Sequence, residues 1–424
     1  MENSNANTNN LIRSNGKSNF YVRSILISAF FIFLIINERF QTGIMSYVDE
    51  VIGILSFIFL LVQRKKVNKN DIINLVLLEI AIAIGLISNL VSELTSDWFS
   101  ICVDVLASSK LLLAYFGMKY YSTNKEKQAT INMLLPLAKL FTILAFIFSI
   151  ASQFVDLGMT GGERYHIKSF RFFFRINFQY IAVYILVLGV LVFTTKLTPK
   201  KRKIYYAMAV VSIILATKAP ALILAFLFVF LSIYYKRHKV LNPIVIIIIS
   251  FVLIGIGWYQ INNYLLREDV PRHLFWVYGV KTANNYFPLG SGFATFGSDQ
   301  ASRNYSQLYY QYGFDKQWGM SPDYGPYLSD NFWPTVIAQF GWIGGGIYIL
   351  IFVILFFQII GAKNLTPDKK AFLFAAYTQY MVHAIGSAIL SSSAGVLGFM
   401  ALAMFITSDI NYTNQTKTKL RVKL

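Results

Sequence analysis

The sequence predicts an all-α polytopic membrane protein with about 12 transmembrane helices, both termini cytoplasmic and one large extracytoplasmic loop at about 262–332. Three observations carry that prediction. The chain is 56% hydrophobic and only 14% charged, against about 25% charged in a soluble domain, and its mean hydropathy is +0.53. Apolar runs recur at close to the ~20 residues that a helix needs to cross a bilayer. Lysine and arginine cluster between those runs, on alternate loops, as orientation in a membrane requires.

The elements follow in order. Residues 1–22 are Asn-rich and read as a disordered cytoplasmic tail. The first run, 23–42, is interrupted by Asn37, Glu38 and Arg39. It resembles a signal peptide, but no small-residue cleavage pattern follows, so it reads as an anchor. Without it the basic N-terminus would lie outside. Spans at 44–62, 72–91, 101–121, 131–153 and 176–195 come next. Cys102 is the single cysteine, which excludes an intramolecular disulfide, and its apolar setting points to a buried thiol. The first nine spans, 23–261, form one membrane domain, and 333–360, 371–390 and 395–410 complete it after the loop. A basic cytoplasmic tail, 411–424, ends the chain.

The stretch 204–235 constrains the topology most. It is flanked by Lys200, Lys201, Arg202 and Lys203 on one side and by Lys236, Arg237 and Lys239 on the other. Both flanks belong inside, and one span cannot satisfy both. Two spans, 204–217 and 219–235, leave each shorter than usual. Their turn, Thr217-Lys218-Ala219-Pro220, is therefore expected below the outer surface. A cation at that depth is costly and tends to be functional; the plain alternative is a lysine that snorkels.

Net charge is +18, but the clusters at Arg64–Lys69, Lys119–Lys127, Lys196–Lys203, Lys236–Lys239, Lys363–Lys370 and Lys417–Lys423 follow the positive-inside pattern. That excludes nucleic acid as a partner. The Asn-, Lys- and Ile-rich composition fits a bacterium with AT-rich coding. The outer loop 156–175 breaks the pattern, with Arg164, Lys168, Arg171 and Arg175. An anionic ligand is the functional reading, and tolerance of charge once neighbouring spans fix the topology is the bland one.

The 262–332 excursion is not a linker. It mixes Arg267, Arg272, His273 and Arg303 with Trp276, Tyr305, Tyr309, Tyr312 and Trp318 and contains the turn Gly290-Ser291-Gly292, whereas a disordered loop is poor in aromatics. Long loops in compact proteins are usually functional. Gly290-x-Gly292 is no dinucleotide fingerprint, because no βαβ unit surrounds it. Gly344-Gly345-Gly346 suits close helix packing. The four histidines are scattered and no metal motif, P-loop or Gly-x-Ser-x-Gly elbow occurs, so neither metal nor cofactor is expected. What remains is a set of outward cations. Arginine forks and a lysine point charge suit phosphate, and tyrosine and tryptophan suit sugar faces. The acids in the same compartment, Glu163, Glu268, Asp269, Asp299, Asp323 and Asp330, are candidate bases or ordinary exposed loop carboxylates.

The string Arg272-His273-Leu274-Phe275-Trp276, the turn Asn285-Tyr286-Phe287-Pro288-Leu289-Gly290-Ser291-Gly292 with Phe296-Gly297, and the re-entering segment Ser329-Asp330-Asn331 through Gly341 and Gly344 resemble the outer loop of the O-antigen polymerase (Wzy) and O-antigen ligase superfamily. The Lys218 hairpin is similar to that family's "S-R-x-x-L" position, with Lys in place of Arg. The motifs cover about 205–345. Two departures stand out: Asp330 occupies the place of a ligase histidine, and no Arg precedes a Gly by eleven residues, though Lys281 and Gly292 have that spacing. The resemblance implies a metal-independent glycosyltransferase of the polymerase type. It would join undecaprenyl-pyrophosphate-linked oligosaccharide units on the outer face of the membrane, for O-antigen, capsule or exopolysaccharide. Membrane lipids, a flippase and a chain-length regulator would be its partners. Arg272, Lys218 and Asp330 are then the catalytic candidates. Arg171, Arg175, Arg267, Arg303, Trp276 and Asn331 are candidates for binding pyrophosphate or glycan. A ligase is the nearest alternative. A lipid-linked oligosaccharide flippase is another, but it needs charges lining a cavity within its spans, and only Glu79, Asp104, Lys110 and Lys139 are obvious there.

Overall fold

The computed structural model describes residues 2–40, 42–362 and 365–407, and the side chains of 20–40, 42–362 and 365–406. Lys363 and the basic tail with Lys417, Lys419, Arg421 and Lys423 lie outside the described residues. The structure is 74% helical, with almost no sheet among the described residues.

In chain order the helices are α1 (Glu2–Phe40), α2 (Val48–Val62), α3 (Lys69–Ser92), α4 (Trp98–Tyr121) and α5 (Asn124–Phe154). A hairpin of β1 (Thr160–Arg164) and β2 (Ile167–Phe170) follows. Then come α6 (Asn177–Phe193), α7 (Pro199–Ile214), α8 (Ala219–Tyr234) and α9 (Pro243–Gln260). The large loop contains α10 (Pro271–Asn285), α11 (Asp299–Arg303) and α12 (Gln307–Gln311). Last are α13 (Phe332–Ile360), α14 (Pro367–His383) and α15 (Ser393–Thr407).

Among the described residues, 7 helices are long and apolar enough to cross a membrane: Phe20–Phe40, Gly43–Val62, Lys69–Ser92, Trp98–Tyr121, Asn124–Phe154, Pro243–Leu265 and Phe332–Ile360. Asn177–Phe193, Ala219–Tyr234 and Ser393–Ile406 are shorter apolar helices. The two-helix reading of 204–235 agrees with the break between α7 and α8 at Leu215–Lys218. Two differences from the sequence reading appear at single elements. The helix of the first anchor continues back to Glu2 rather than starting after an irregular tail. Cys102 is exposed, not buried; it faces a groove shared with Leu75 of α3 and Leu106 of α4. In a lipid-facing protein the outer surface is apolar too, so an apolar run does not say which face is covered.

The packing has a clear centre. α6 is apolar all round and buried along nearly its whole length, as expected of a helix enclosed by others; it packs against α5, α14 and α15. α9 lies at the edge, with Ile249 its buried residue. Two ion-paired groups lie inside the bundle: Lys110 sits 2.5 Å from both Asp49 and Glu50, and Lys119 sits 2.6 Å from Asp71.

The large loop has a core of its own. Phe275, Phe296, Leu308, Tyr309, Phe314 and Met320 are fully buried together, and α10 packs along α13. The glycine turn is driven into the helices. Ser291 N–H donates to Ala338 O (2.9 Å) and Gly292 N–H to Gln339 O (3.0 Å). Phe293 N–H donates to Asn89 Oδ1 (2.8 Å) and Ala294 N–H to Asp104 Oδ2 (2.6 Å). The turn meets α13 where that helix breaks at Gly341 (φ 62, ψ −165). A Cβ on Gly290 would lie 2.3 Å from Gly341 N, so two backbones touch where side chains have no room.

Candidate anion-binding site

The turn between α7 and α8 is where the first cation is set. Thr217 adopts a left-handed conformation (φ 50), and Lys218 then N-caps α8 ahead of Pro220. β2 clamps the turn from outside: Phe170 N–H donates to Leu215 O (2.9 Å) and Ser169 Oγ to Ala216 O (2.6 Å). Asn177 Nδ2 in turn donates to Ser169 Oγ (3.1 Å) and to Phe170 O (2.9 Å). The same hairpin carries Arg164 at the end of β1, its guanidinium 5.7 Å from the centre of the Tyr259 ring.

Arg272 enters from the large loop. Pro271 starts α10 and Arg272 follows at its first turn. Its Nε and Nη2 both donate to Asp330 Oδ2, at 3.1 and 2.7 Å, and its guanidinium lies 5.1 Å over the Tyr264 ring. The two side chains keep 30% and 28% of their exposure, so the pair forms a wall that solvent still reaches. One turn further along α10, Trp276 Nε1 donates to Ile385 O (3.1 Å). That bond ties α10 to the connection between α14 and α15, and it makes Trp276 a brace as well as a ring surface.

These parts converge. Burial pushes the Lys218 ammonium down to about 8, and the charges of Arg164 and Arg272 push it the same way. His383, at the end of α14, is close enough to Arg272 and Lys218 to feel both charges, and it lies beside the Phe178 ring. Asp330 is raised, because burial outweighs the attraction and hydrogen bonds of Arg272. Arg164 and Arg272 thus both lie near Lys218, and Asp330 pairs with Arg272, so three cations outnumber the one carboxylate bonded among them. A dianion with several oxygens complements that arrangement.

The other sequence candidates have settings of their own. Arg171 folds back so that Nη1 donates to the Arg175 carbonyl, and both stay in the loop after β2. Arg267 pairs with Asp269 at 2.6 Å on the open surface; the bond raises the arginine and lowers the carboxyl. Arg303 closes α11 beside Tyr47 and Asp299. Asn331, next to Asp330, is buried with both side-chain polar atoms lacking a partner. The glycine turn, expected near the chemistry, has its amides committed to Asn89, Asp104 and α13, which makes it a docking element rather than a phosphate cradle. Sequence reasoning did not single out Arg164 or His383. Arg164 sat in the anomalously basic outer loop, which was a usable signal; His383 carried none, as a lone histidine at the end of an apolar run.

Among the described residues no group of three His, Cys, Asp or Glu converges as metal ligands do. No family model matches the chain, and no curated protein matches it.

Proposed function

We propose that the chain is a multi-pass protein of a bacterial cytoplasmic membrane that polymerises polysaccharide from undecaprenyl-pyrophosphate-linked oligosaccharide units. In this reading it has 12 spans, both termini face the cytoplasm, and the 262–332 loop and the β1–β2 hairpin face outward. The single observation that supports it best is the convergence of Lys218, Arg272 and Arg164 with one counter-ion, Asp330. The loop resemblance described above points the same way.

The chemistry runs as follows. A sugar hydroxyl oxygen of the acceptor attacks the anomeric carbon of the donor glycan. The bond from that carbon to the pyrophosphate oxygen breaks, and the electron pair leaves with the lipid pyrophosphate. The hydroxyl proton passes to a base, for which Asp330 is the candidate. Charge grows on the leaving pyrophosphate, and pre-set cations aimed at developing charge are an effective form of stabilisation. Arg272 supplies a fork and Lys218 a point charge; Arg164 adds to the field.

The test is made in a strain lacking the gene. Single repeat units accumulating on lipid at the outer face, with long chains lost, are expected. Long chains stranded on lipid would indicate a ligase. Units held at the inner face would indicate a flippase and end the polymerase reading.

A further inference from the structure

A cavity of about 230 Å³ lies beside the anion site and belongs to different side chains. Ser329 and Asn331 line it, whereas Asp330 between them turns to Arg272. The connection after α14 is shared in the same manner: Ile385 receives Trp276 of α10, and Ala388 and Ser391 face the cavity. The two sites are therefore separated by two backbone segments that both contact.

The walls carry polar groups that are incompletely satisfied. Asn331 is 1% exposed, and neither Nδ2 nor Oδ1 has a hydrogen-bond partner. Gln339, also 1% exposed, donates Nε2 to Asp104 Oδ2 (2.8 Å) and to Phe296 O (3.0 Å) but leaves Oε1 unpartnered. Glu50 accepts from Lys110 at Oε1 (2.5 Å) and leaves Oε2 unpartnered. Buried polar atoms are nearly always bonded, so this set marks a place built for an occupant that supplies hydrogen bonds.

The chemistry of the occupant follows from the walls. Two cations, Lys110 and Arg303, are set against three carboxyl groups, Glu50, Asp104 and Asp299, among the lining residues, which leaves no excess positive charge for phosphate. The free atoms include a donor, Asn331 Nδ2, as well as acceptors, and a hydroxyl satisfies both. Phe332 and Phe340 add apolar ring surface. At about 30 Å³ per water the space equals roughly eight waters, the scale of one pyranose ring. We propose that this cavity binds a single neutral sugar residue through Asn331, Gln339 and Glu50. Its role as the acceptor or donor residue next to the lipid pyrophosphate rests on the transferase reading; its binding of a sugar does not.

The experiment uses the full chain purified into nanodiscs and saturation-transfer NMR with methyl glycosides of glucose, galactose, rhamnose and N-acetylglucosamine. Inorganic pyrophosphate binding is measured separately by calorimetry. At least one glycoside is expected to bind the wild type. Asn331→Leu and Gln339→Leu are each expected to weaken it tenfold or more, with pyrophosphate affinity within twofold; Asn331→Leu, whose side chain has no hydrogen bond to lose, is expected to keep the wild-type melting temperature. If either variant fails to elute as a monodisperse species, Ala388→Leu, which narrows the cavity from a loop position, carries the same expectation. No binding of any glycoside, or binding unaltered in the folded variants, overturns the proposal. Glycoside binding without pyrophosphate binding would leave the cavity assigned and count against the anion site alone.

Discussion

Arg272 reaches across 58 residues of chain to Asp330 and places both Nε and Nη2 on the same carboxylate oxygen, at 3.1 and 2.7 Å. The carboxylate orients the guanidinium and at the same time competes with any anion for it. Arg272→Ala is expected to abolish polymer while membrane insertion stays intact. Retention of long chains in that variant would remove Arg272 from the site.

Asp330→Asn separates the two roles of the carboxylate. It keeps an acceptor oxygen and removes the competing charge. A charge at this distance in a partly exposed site is worth on the order of 1–2 kcal/mol, so pyrophosphate should bind roughly tenfold more tightly. If Asp330 is also the base, turnover falls in the same variant. Unchanged affinity, measured by calorimetry, would mean that the site binds no anion at Arg272.

Lys218 sets the pH dependence. Its ammonium is pushed down to about 8 by burial, helped by Arg164 and Arg272, and only the protonated form attracts an anion. Binding should therefore be strong below pH 8 and decline as pH rises through it. A bound anion pulls the group back up, so proton uptake accompanies binding near pH 8. Lys218→Arg is expected to remove the decline and keep partial activity. Lys218→Ala should lose most activity at every pH. Equal activity in the two variants would show that Lys218 only reaches for the interface.

Arg267 provides a contrast. It is paired with Asp269 on the open surface, and exposed pairs contribute little. Arg267→Ala should leave both polymer length and pyrophosphate affinity near wild type, whereas Arg164→Ala should weaken the anion severalfold. The reverse order of effects would move the site away from the α7–α8 turn.

The contact between Gly290 and Gly341 admits no side chain. Each has positive φ, and a Cβ on either falls within 2.4 Å of the other's backbone. Gly341 also sits in a region of backbone space that is essentially reserved for glycine. Alanine at either position is expected to cost about 3 kcal/mol or more, seen as a lower melting temperature in detergent. Faster hydrogen exchange across 286–297 would accompany it. A melting temperature equal to wild type would show that the turn does not dock as described.

How far the sequence could be read depended on the kind of signal. Runs of apolar residues located the helices, since crossing a bilayer leaves few alternatives to them. The break at Lys218 was legible from its basic flanks and short halves, because a single span cannot place two basic flanks on one side. The partnership of Arg272 with Asp330 was not legible as a pair, since 58 residues of loop fix no distance. The glycine turn misled about its own role: glycine signals close approach of backbone, and the same residues serve whether a ligand or another helix approaches. Cys102 misled for a related reason, as apolar neighbours do not distinguish protein from lipid. Glu50 and Gln339 gave no warning of a cavity, being isolated polar residues on separate helices, whereas Asp104 and Lys110 stood out as charges within apolar runs.

The bonds that seat the glycine turn also order events in time. Asn89 binds Phe293 across 204 residues, and Asp104 binds Ala294 across 190. At about 5–20 residues per second of synthesis, both side chains wait on the order of 10–40 seconds inside a nascent bundle before their partners exist. The acceptor carbonyls of α13 come later still. An insertion machinery that shelters α3 and α4 during that interval would keep these two polar side chains from lying against lipid unpartnered.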